Sequence, residues 1–239
     1  MTLVINPTYE PLREWIQALP TTFAQTGKVI YNARNQIRLM QAPDGSDVCV
    51  KRFHAPRSLN RWIYTFIRAP KAVRAYKNAL RLQQEGIGTP EVMAYILMTK
   101  RGLLSESYLI SRRSNLIRDL YEFRHHPLEG YEPIVRDFAR FTARMHEKGI
   151  LHKDYSPGNI LFDVTPDGQT HFELVDINRM RFDHPVGLDR ACHSFRRLWG
   201  KEDFFVLLAT EYARARGWDE QRCIRLTLKY WRRFWRNRR

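Results

Sequence analysis

The hydrophobic and polar positions of this chain follow one period in its first half and another in its second. In the first half, apolar residues alternate or cluster over short runs separated by turn residues, which predicts strands. GKVIYNARNQIRLMQAPDGSDVCVKRFH predicts three strands, and Asp44-Gly45 is the turn of the hairpin between the last two. One short helix is predicted before them, over Tyr9–Leu19. The first half is therefore expected to form a small sheet.

Helical spacing dominates the second half. Ile134, Phe138, Phe141 and Met145 share one side of YEPIVRDFARFTARMHEKGI, which predicts an amphipathic helix. AVRAYKNALRLQQ, within the strand-rich half, also predicts a helix; GIGTP ends it, and the strands EVMAYILM and LLSESYLIS follow. Three closing helices are predicted around residues 188–199, 202–216 and 220–238. This order predicts an α+β protein with a small β-rich lobe, residues 1–113, and a helical lobe, residues 114–239.

A polar loop interrupts the helical half. HKDYSPGNILFD places Asp154 and Asn159 five residues apart, around a Pro-Gly turn and directly before an apolar strand. A hairpin follows, made of NILFD, a TPDGQ turn and FELVDI, and Asp176 ends its second strand. Lys51 stands inside the apolar strand VCVKRF, where a lone cation is costly unless it is paired or liganded.

Together these residues match the requirements of phosphoryl transfer from ATP. That reaction needs a lysine on the phosphates, an aspartate that accepts the hydroxyl proton, and hard oxygen ligands for Mg²⁺. H-x-D-x-x-x-x-N is the catalytic-loop spacing of the protein-kinase superfamily, and it falls here on His152, Asp154 and Asn159. Each element alone has an ordinary structural explanation, such as an edge-strand lysine. Their order along the chain favours a kinase.

Four segments carry a resemblance to a known family: VCVKRFHAP, KAVRAYKNALRLQQEGIGTPEVMAY, MHEKGILHKDYSPGNILFD and FELVDINRMRF. With them the chain resembles the bacterial lipopolysaccharide kinases, which phosphorylate the inner-core sugars Kdo or heptose. The resemblance implies a two-lobed protein-kinase-like fold with ATP and Mg²⁺ as cofactors. It implies Lys51 as the catalytic phosphate-binding lysine, Asp154 as catalytic base, and Asn159 and Asp176 as metal ligands.

The same resemblance places the nucleotide and the bracing histidine. Gly27 is expected in the loop over the phosphates, and the adenine is expected to hydrogen-bond to backbone around Ile110, at the end of the SYLIS strand. His152 is expected to brace the backbone near Asp176 rather than to act as an acid or base.

Several positions depart from the kinase pattern. Lys153 stands where an arginine is usual, Asn178 where a glycine is usual, and Gly27 is the only glycine of its loop. No acid stands near Ala75 to pair with Lys51, which keeps a non-catalytic, partner-binding pseudokinase open as an alternative. A protein or another small molecule is the alternative acceptor, although no A-P-E-like anchor follows Asp176.

Charge bears on the partners and on the location. The formal net charge is +15, which attracts polyanions, but no nucleic-acid-binding motif accompanies it. The resemblance implies, as the partner that this charge attracts, an anionic lipopolysaccharide precursor similar to Kdo-lipid A. Three widely spaced cysteines fit a reducing compartment, and no signal peptide or long apolar run is visible. The expected location is the cytoplasm, peripheral on the inner face of the inner membrane of a Gram-negative cell.

The basic C-terminal run LKYWRRFWRNRR has two interpretations. On a helix, Leu228, Trp231 and Trp235 share one face, Phe234 lies beside them, and arginines fill the other side. The helix either packs its aromatic face on the helical lobe or inserts that face into a membrane surface, with arginines on lipid phosphates.

Overall fold

A computed structural model describes residues 1–54 and 68–236 of the chain. The chain divides into two compact units. The first comprises Met1–Gln84 and Pro90–Asn115, and the second comprises Glu85–Thr89 and Leu116–Arg239. The HAP end of the VCVKRFHAP segment enters the undescribed stretch from residue 55, and the predicted end of the last helix, at residues 237–238, also lies outside the described residues.

The first unit contains one antiparallel sheet of six strands in the order β1-β5-β6-β4-β3-β2. The strands are β1 (Thr2–Ile5), β2 (Lys28–Asn32), β3 (Asn35–Gln41), β4 (Asp47–Phe53), β5 (Val92–Lys100) and β6 (Leu103–Arg112). The five strands predicted from alternation are confirmed. The edge strand β1, which sequence patterning missed, pairs with β5.

Among the described residues of this unit, two helices accompany the sheet, one on each face. Helix α1 (Arg13–Thr22) buries Ile16 and Leu19 in the same core cluster as Val50 of β4. Helix α2 (Lys71–Gln84) lies on the opposite face, where the Tyr76 ring meets the Tyr95 ring of β5 edge-on, with ring centres 5.3 Å apart. Their bounds agree closely with the predicted helices, except that a 3₁₀ turn, Pro7–Leu12, precedes α1.

The second unit is mainly helical, with α3 (Glu132–Glu147), α4 (Leu188–Ser194), α5 (Glu202–Arg216) and α6 (Glu220–Arg236). Its short strands are β7 (Arg118–Asp119), β8 (Leu151–His152), β9 (Ile160–Val164), β10 (Thr170–Leu174) and β11 (Met180–Arg181). The predicted hairpin is β9 and β10, paired antiparallel. Helix α3 buries the four residues that predicted it, including Phe138 and Met145.

The aromatic face of α6 packs inside the second unit. The Trp231 ring lies 4.6 Å from that of Phe205 in α5, and the Trp235 ring lies 5.3 Å from that of Trp199. The first interpretation of the basic run therefore applies to its aromatic residues. No helix in the described ranges combines the length and the apolar character that crossing a bilayer requires.

Candidate active site

The polar loop of the second unit is joined to the segment around Asp176 by a short ladder. Strand β8 pairs with β11 so that His152 faces Met180. The Lys153 amide donates to the Arg179 carbonyl at 2.9 Å, and the Val175 amide donates to the Asn159 carbonyl at 3.0 Å. These bonds bring together the two segments that carry Asp154, Asn159 and Asp176. The distance in sequence between them is spanned by the β9–β10 hairpin.

His152 braces this junction, as expected. Its Nδ1 accepts a hydrogen bond from the Asp154 amide at 3.1 Å, and its Nε2 lies 3.2 Å from the Val175 carbonyl. Burial lowers the pKa of His152 to about 4, so the ring is neutral near pH 7. A neutral ring that accepts a hydrogen bond through Nδ1 carries its proton on Nε2, so Nε2 donates a hydrogen bond to the Val175 carbonyl. His152 thus fixes the loop, and both of its ring nitrogens are engaged by backbone groups.

The metal-ligand candidates are oriented by amide groups. Asn159 donates from Nδ2 to the Asp154 carbonyl at 2.8 Å, which leaves its Oδ1 as the remaining side-chain donor to a cation. Asn178, in the usual glycine position, donates from Nδ2 to Oδ1 of Asp176 at 2.7 Å. Asp176 itself has a left-handed backbone, with φ 53°. One amide and one carboxylate oxygen are the hard ligands that Mg²⁺ prefers, so the donor set fits that ion.

Such a pair is small compared with an all-protein metal cage. Within residues 1–54 and 68–236, no group of three or more His, Cys, Asp and Glu side chains could hold a metal ion. Mg²⁺ in nucleotide enzymes is commonly held by one or two protein groups together with substrate phosphates. The pair Asn159 and Asp176 corresponds to that type of site.

Two arginines that sequence reasoning missed lie on Asp154. Nη1 of Arg197 forms an ion pair with Oδ1 of Asp154, and Nη1 of Arg179 lies 4.0 Å from Oδ2. Arg197 is far from Asp154 in sequence and belongs to a 3₁₀ turn after α4, so no local motif connected the two. For Arg179 a signal existed, because it closely follows Asp176 and the β8–β11 pairing returns it to the loop.

In the first unit, Lys51 lies in the middle of β4, opposite Ile37 and Leu109. Val48 and Val50 point into the core on the α1 side, so Lys51 projects from the other face, the one that α2 covers. Its Nζ lies 5.3 Å from the centre of the Phe53 ring. Ala75 of α2 is buried, and α2 contains no acidic residue, so any carboxylate partner of Lys51 comes from another element.

The backbone conformation of Gly27 and its close contact with β3 both require a glycine at this position. It precedes β2 and has φ +73°, a left-handed value. A Cβ there would lie 2.4 Å from the Leu39 carbonyl oxygen of β3. The turn between β2 and β3, residues 32–35, lies at the other end of the hairpin. Gly27 therefore begins the β2–β3 hairpin, and its expected place over the phosphates stays a prediction.

The expected adenine contact at Ile110 is also corrected. Ile110 pairs with Val50 on one side and Ala94 on the other, because β6 is a central strand. Its side chain is fully buried in the α1-side core. Backbone groups of a central strand bond to both neighbouring strands, so a nucleotide base cannot also bond to them.

Comparison with known proteins identifies the chain. The model of the lipopolysaccharide kinase (Kdo/WaaP) family matches residues 32–230. The chain belongs to this family. It is therefore an ATP-dependent phosphotransferase of the lipopolysaccharide core, and family membership favours a catalytic role over the pseudokinase alternative.

Similar proteins extend the likeness to other kinase-like folds. A structure of WaaP in complex with acyl carrier protein shares 17% identity, covers 99% of this chain and 98% of its own, and superimposes with a TM-score of 0.62. The Rio2 kinase–ADP/Mg²⁺–phosphoaspartate complex from Chaetomium thermophilum shares 15% identity over 96% of this chain and 76% of its own, with a TM-score of 0.56. These likenesses confirm the expected protein-kinase-like fold.

One curated relative is also similar to part of the chain. The KEOPS complex subunit Bud32 of Pyrococcus abyssi is 26% identical over 167 residues, which are 66% of this chain and 70% of that protein.

Proposed function

We propose that this kinase transfers the γ-phosphoryl group of ATP to a Kdo hydroxyl of a lipid A-linked inner-core precursor, with Asp154 as catalytic base. The observation that carries the proposal is the fixed arrangement of the polar loop. His152 holds the Asp154 amide, and Asn159 holds the Asp154 carbonyl, so the backbone of the base is fixed on both sides. Such positioning is most of what phosphoryl transfer asks of a protein.

Each group has one task in this proposal. Asp154 orients the acceptor hydroxyl and receives its proton. Lys51 binds the nucleotide phosphates, and the β2–β3 hairpin, which Gly27 begins, covers them. The residues that follow β6 replace Ile110 as the backbone contact of adenine. Asn159 and Asp176 would hold Mg²⁺, which supplies positive charge to the transferring phosphoryl group.

The proposal is tested by the transfer of labelled phosphate from ATP, with Mg²⁺, to Kdo-lipid A. Asp154→Ala should lower kcat by about 10²–10⁴-fold, the usual contribution of a general base. The matched control is Asp167→Ala, since Asp167 lies in the exposed turn of the β9–β10 hairpin and bonds only to neighbouring residues of that turn. ATP hydrolysis that depends on Asp154, without transfer to Kdo-lipid A, would show that the acceptor is another molecule.

We also propose that the basic face of α6 contacts an anionic membrane surface while the kinase acts. Arg225, Arg233 and Arg236 are exposed, whereas Trp231 and Trp235 pack inside the unit. The contact is therefore electrostatic and lies at headgroup level, without insertion of the aromatic residues.

Three exposed arginines contribute roughly 1 kcal/mol each at such a surface. Arg225→Gln/Arg233→Gln/Arg236→Gln should therefore weaken binding to vesicles of anionic phospholipid by about a hundredfold and leave the melting temperature unchanged. Unchanged vesicle binding in the triple variant would exclude this face. Neutral vesicles serve as the control.

A further inference from the structure

The carboxylate of Asp154, the proposed catalytic base, contacts two arginine side chains. Arg197 is ion-paired with Oδ1 of Asp154, and Arg179 approaches Oδ2 at 4.0 Å. The Asp154 side chain is 20% exposed and that of Arg197 is 32% exposed, so water reaches the pair only in part. A carboxylate oxygen engaged by a guanidinium cannot at the same time accept a proton from a substrate hydroxyl.

Both arginines are held by the fold and not by Asp154 alone. Arg197 ends the 3₁₀ turn Phe195–Arg197, and both Phe195 and the following Leu198 are fully buried. Arg179 belongs to the turn after Asp176, and its carbonyl accepts the Lys153 amide. If Asp154 released them, the two guanidinium groups would remain beside the loop.

We propose that Arg197, assisted by Arg179, is the binding site for a carboxylate or phosphate group of the acceptor, and that this anion frees Asp154 to act as base. The inference rests on the proposed function and adds to it the group that selects the acceptor. Guanidinium groups bind carboxylates and phosphates through paired hydrogen bonds. Breaking a shielded ion pair is costly when one charge is left alone, and an anionic acceptor supplies the replacement partner.

The exchange couples recognition to catalysis. Once Arg197 holds the acceptor anion, Asp154 takes the proton of the acceptor hydroxyl as its oxygen bonds to the γ-phosphorus and the bond to the ADP oxygen breaks. Water brings no anion, so Asp154 stays paired and ATP is not hydrolysed wastefully. A neutral acceptor is rejected for the same reason. Discrimination thus arises from the availability of the base as well as from contact with the substrate.

The test compares Arg197→Ala with Arg196→Ala. Arg196 is the adjacent residue, but its Nη1 donates to the His193 carbonyl at 2.9 Å. Arg197→Ala is expected to raise KM for Kdo-lipid A by at least about tenfold, as the loss of a charged hydrogen bond does, and to raise ATP hydrolysis without acceptor several-fold. Arg196→Ala should change neither quantity. A wild-type KM in folded Arg197→Ala overturns the proposal; Arg197→Gln replaces it if the alanine variant does not fold.

Two further acceptors identify the anion. One is Kdo-lipid A without its lipid phosphates, and the other carries the Kdo carboxylate as a methyl ester. Removal of the group that Arg197 binds should raise KM in the wild type but not further in Arg197→Ala. If both modifications act equally in the two proteins, the proposal is wrong.

Measurement of ATP hydrolysis without acceptor distinguishes a failure of this inference from a failure of the proposed function. If the wild type transfers phosphate to none of these acceptors, the acceptor is wrong, and ATP hydrolysis still tests the role of Arg197. A higher rate of ATP hydrolysis in Arg197→Ala that disappears in Arg197→Ala/Asp154→Ala supports the proposal that Arg197 keeps Asp154 from acting as base. No rise overturns it.

Discussion

The two units of this kinase place their candidate residues by different means. In the second unit, side chains of the polar loop bond to the backbone of the same loop and of the segment around Asp176. In the first unit, the position of Lys51 depends on the register of β4 between β3 and β6. The loop is therefore specified mainly by its own residues, and the sheet by its neighbours.

The difference has a consequence for how each unit tolerates change. Loss of one side chain in the loop removes a bond that positions a catalytic atom, because few backbone groups there belong to a regular ladder. Loss of one side chain in the sheet leaves the ladder intact. Removal of a side chain that the sheet only presents, such as that of Lys51, should therefore affect the chemistry of that group alone, while substitutions in the polar loop should also affect geometry.

Among the predictions that test this comparison, the largest effect is expected at Lys51, although the sheet around it should not change. Lys51→Met removes the cation proposed to bind the phosphates and should lower kcat by about 10²–10³-fold, as removal of such a clamp does. The melting temperature should stay within a few degrees of the wild type. Lys28→Met, on exposed β2, is the control. Retained activity would mean that another cation binds the phosphates.

The next largest effect concerns the buried ring of His152 and the pH. Its pKa is lowered from 6.5 to about 4 in the folded protein, so the unfolded chain binds a proton that the folded one does not. The stability that depends on the neutral ring is therefore complete above pH 6.5 and is lost as pH falls from 6.5 to about 4. The loss for one group is about 1.4 kcal/mol per pH unit.

Urea unfolding at several pH values measures the slope of the unfolding free energy against pH. His152→Gln should reduce the slope between pH 6.5 and 4, and His171→Gln, at an exposed position of β10, should leave it unchanged. Burial also lowers the pKa of His146 to about 3, so part of the wild-type slope remains in the variant. A slope equal to that of the wild type would mean that His152 is not a buried neutral ring.

A smaller effect is expected at Asn178, which contacts the proposed metal ligand Asp176. Asn178→Ala removes the hydrogen bond to Oδ1 of Asp176. The Mg²⁺ concentration for half-maximal activity should rise by about 10–100-fold, the usual cost of losing such a partner. Gln169→Ala, in the hairpin turn, should leave it unchanged. An unchanged Mg²⁺ requirement in Asn178→Ala would assign the asparagine to backbone structure alone.

The smallest effect sharpens the role of Gly27. Both Gly27 and Gly45 have a left-handed backbone, with φ +73° and +80°. The Cβ added by Gly27→Ala would overlap the Leu39 carbonyl oxygen, whereas the Cβ added by Gly45→Ala would have no heavy atom within 4 Å. Both should lose about 1–2 kcal/mol of unfolding free energy for the backbone, and Gly27→Ala about 1–3 kcal/mol more for the overlap. KM for ATP should not change in either. A raised KM for ATP with unchanged stability would show instead that Gly27 lies over the phosphates.

The sequence indicated much of the fold because apolar period and turn residues act locally. All five strands from β2 to β6 and the long helices follow from alternation, helical spacing, and the turns around Gly45 and Gly168. Strand β1 was missed because a four-residue edge strand has no period long enough to recognise, and its pairing with β5 spans most of the first unit.

The candidate site also combines residues that the local sequence specifies with residues that only the tertiary structure brings there. The sequence by itself determined the loop residues His152, Asp154 and Asn159, because their spacing is what lets side chains bond to their own loop. Only tertiary structure decided that Ile110 lies between two strands, and that Arg197 reaches Asp154. Those positions depend on which strands pair and where a distant turn packs. Both are set by the burial of the whole core and leave no local pattern in the chain.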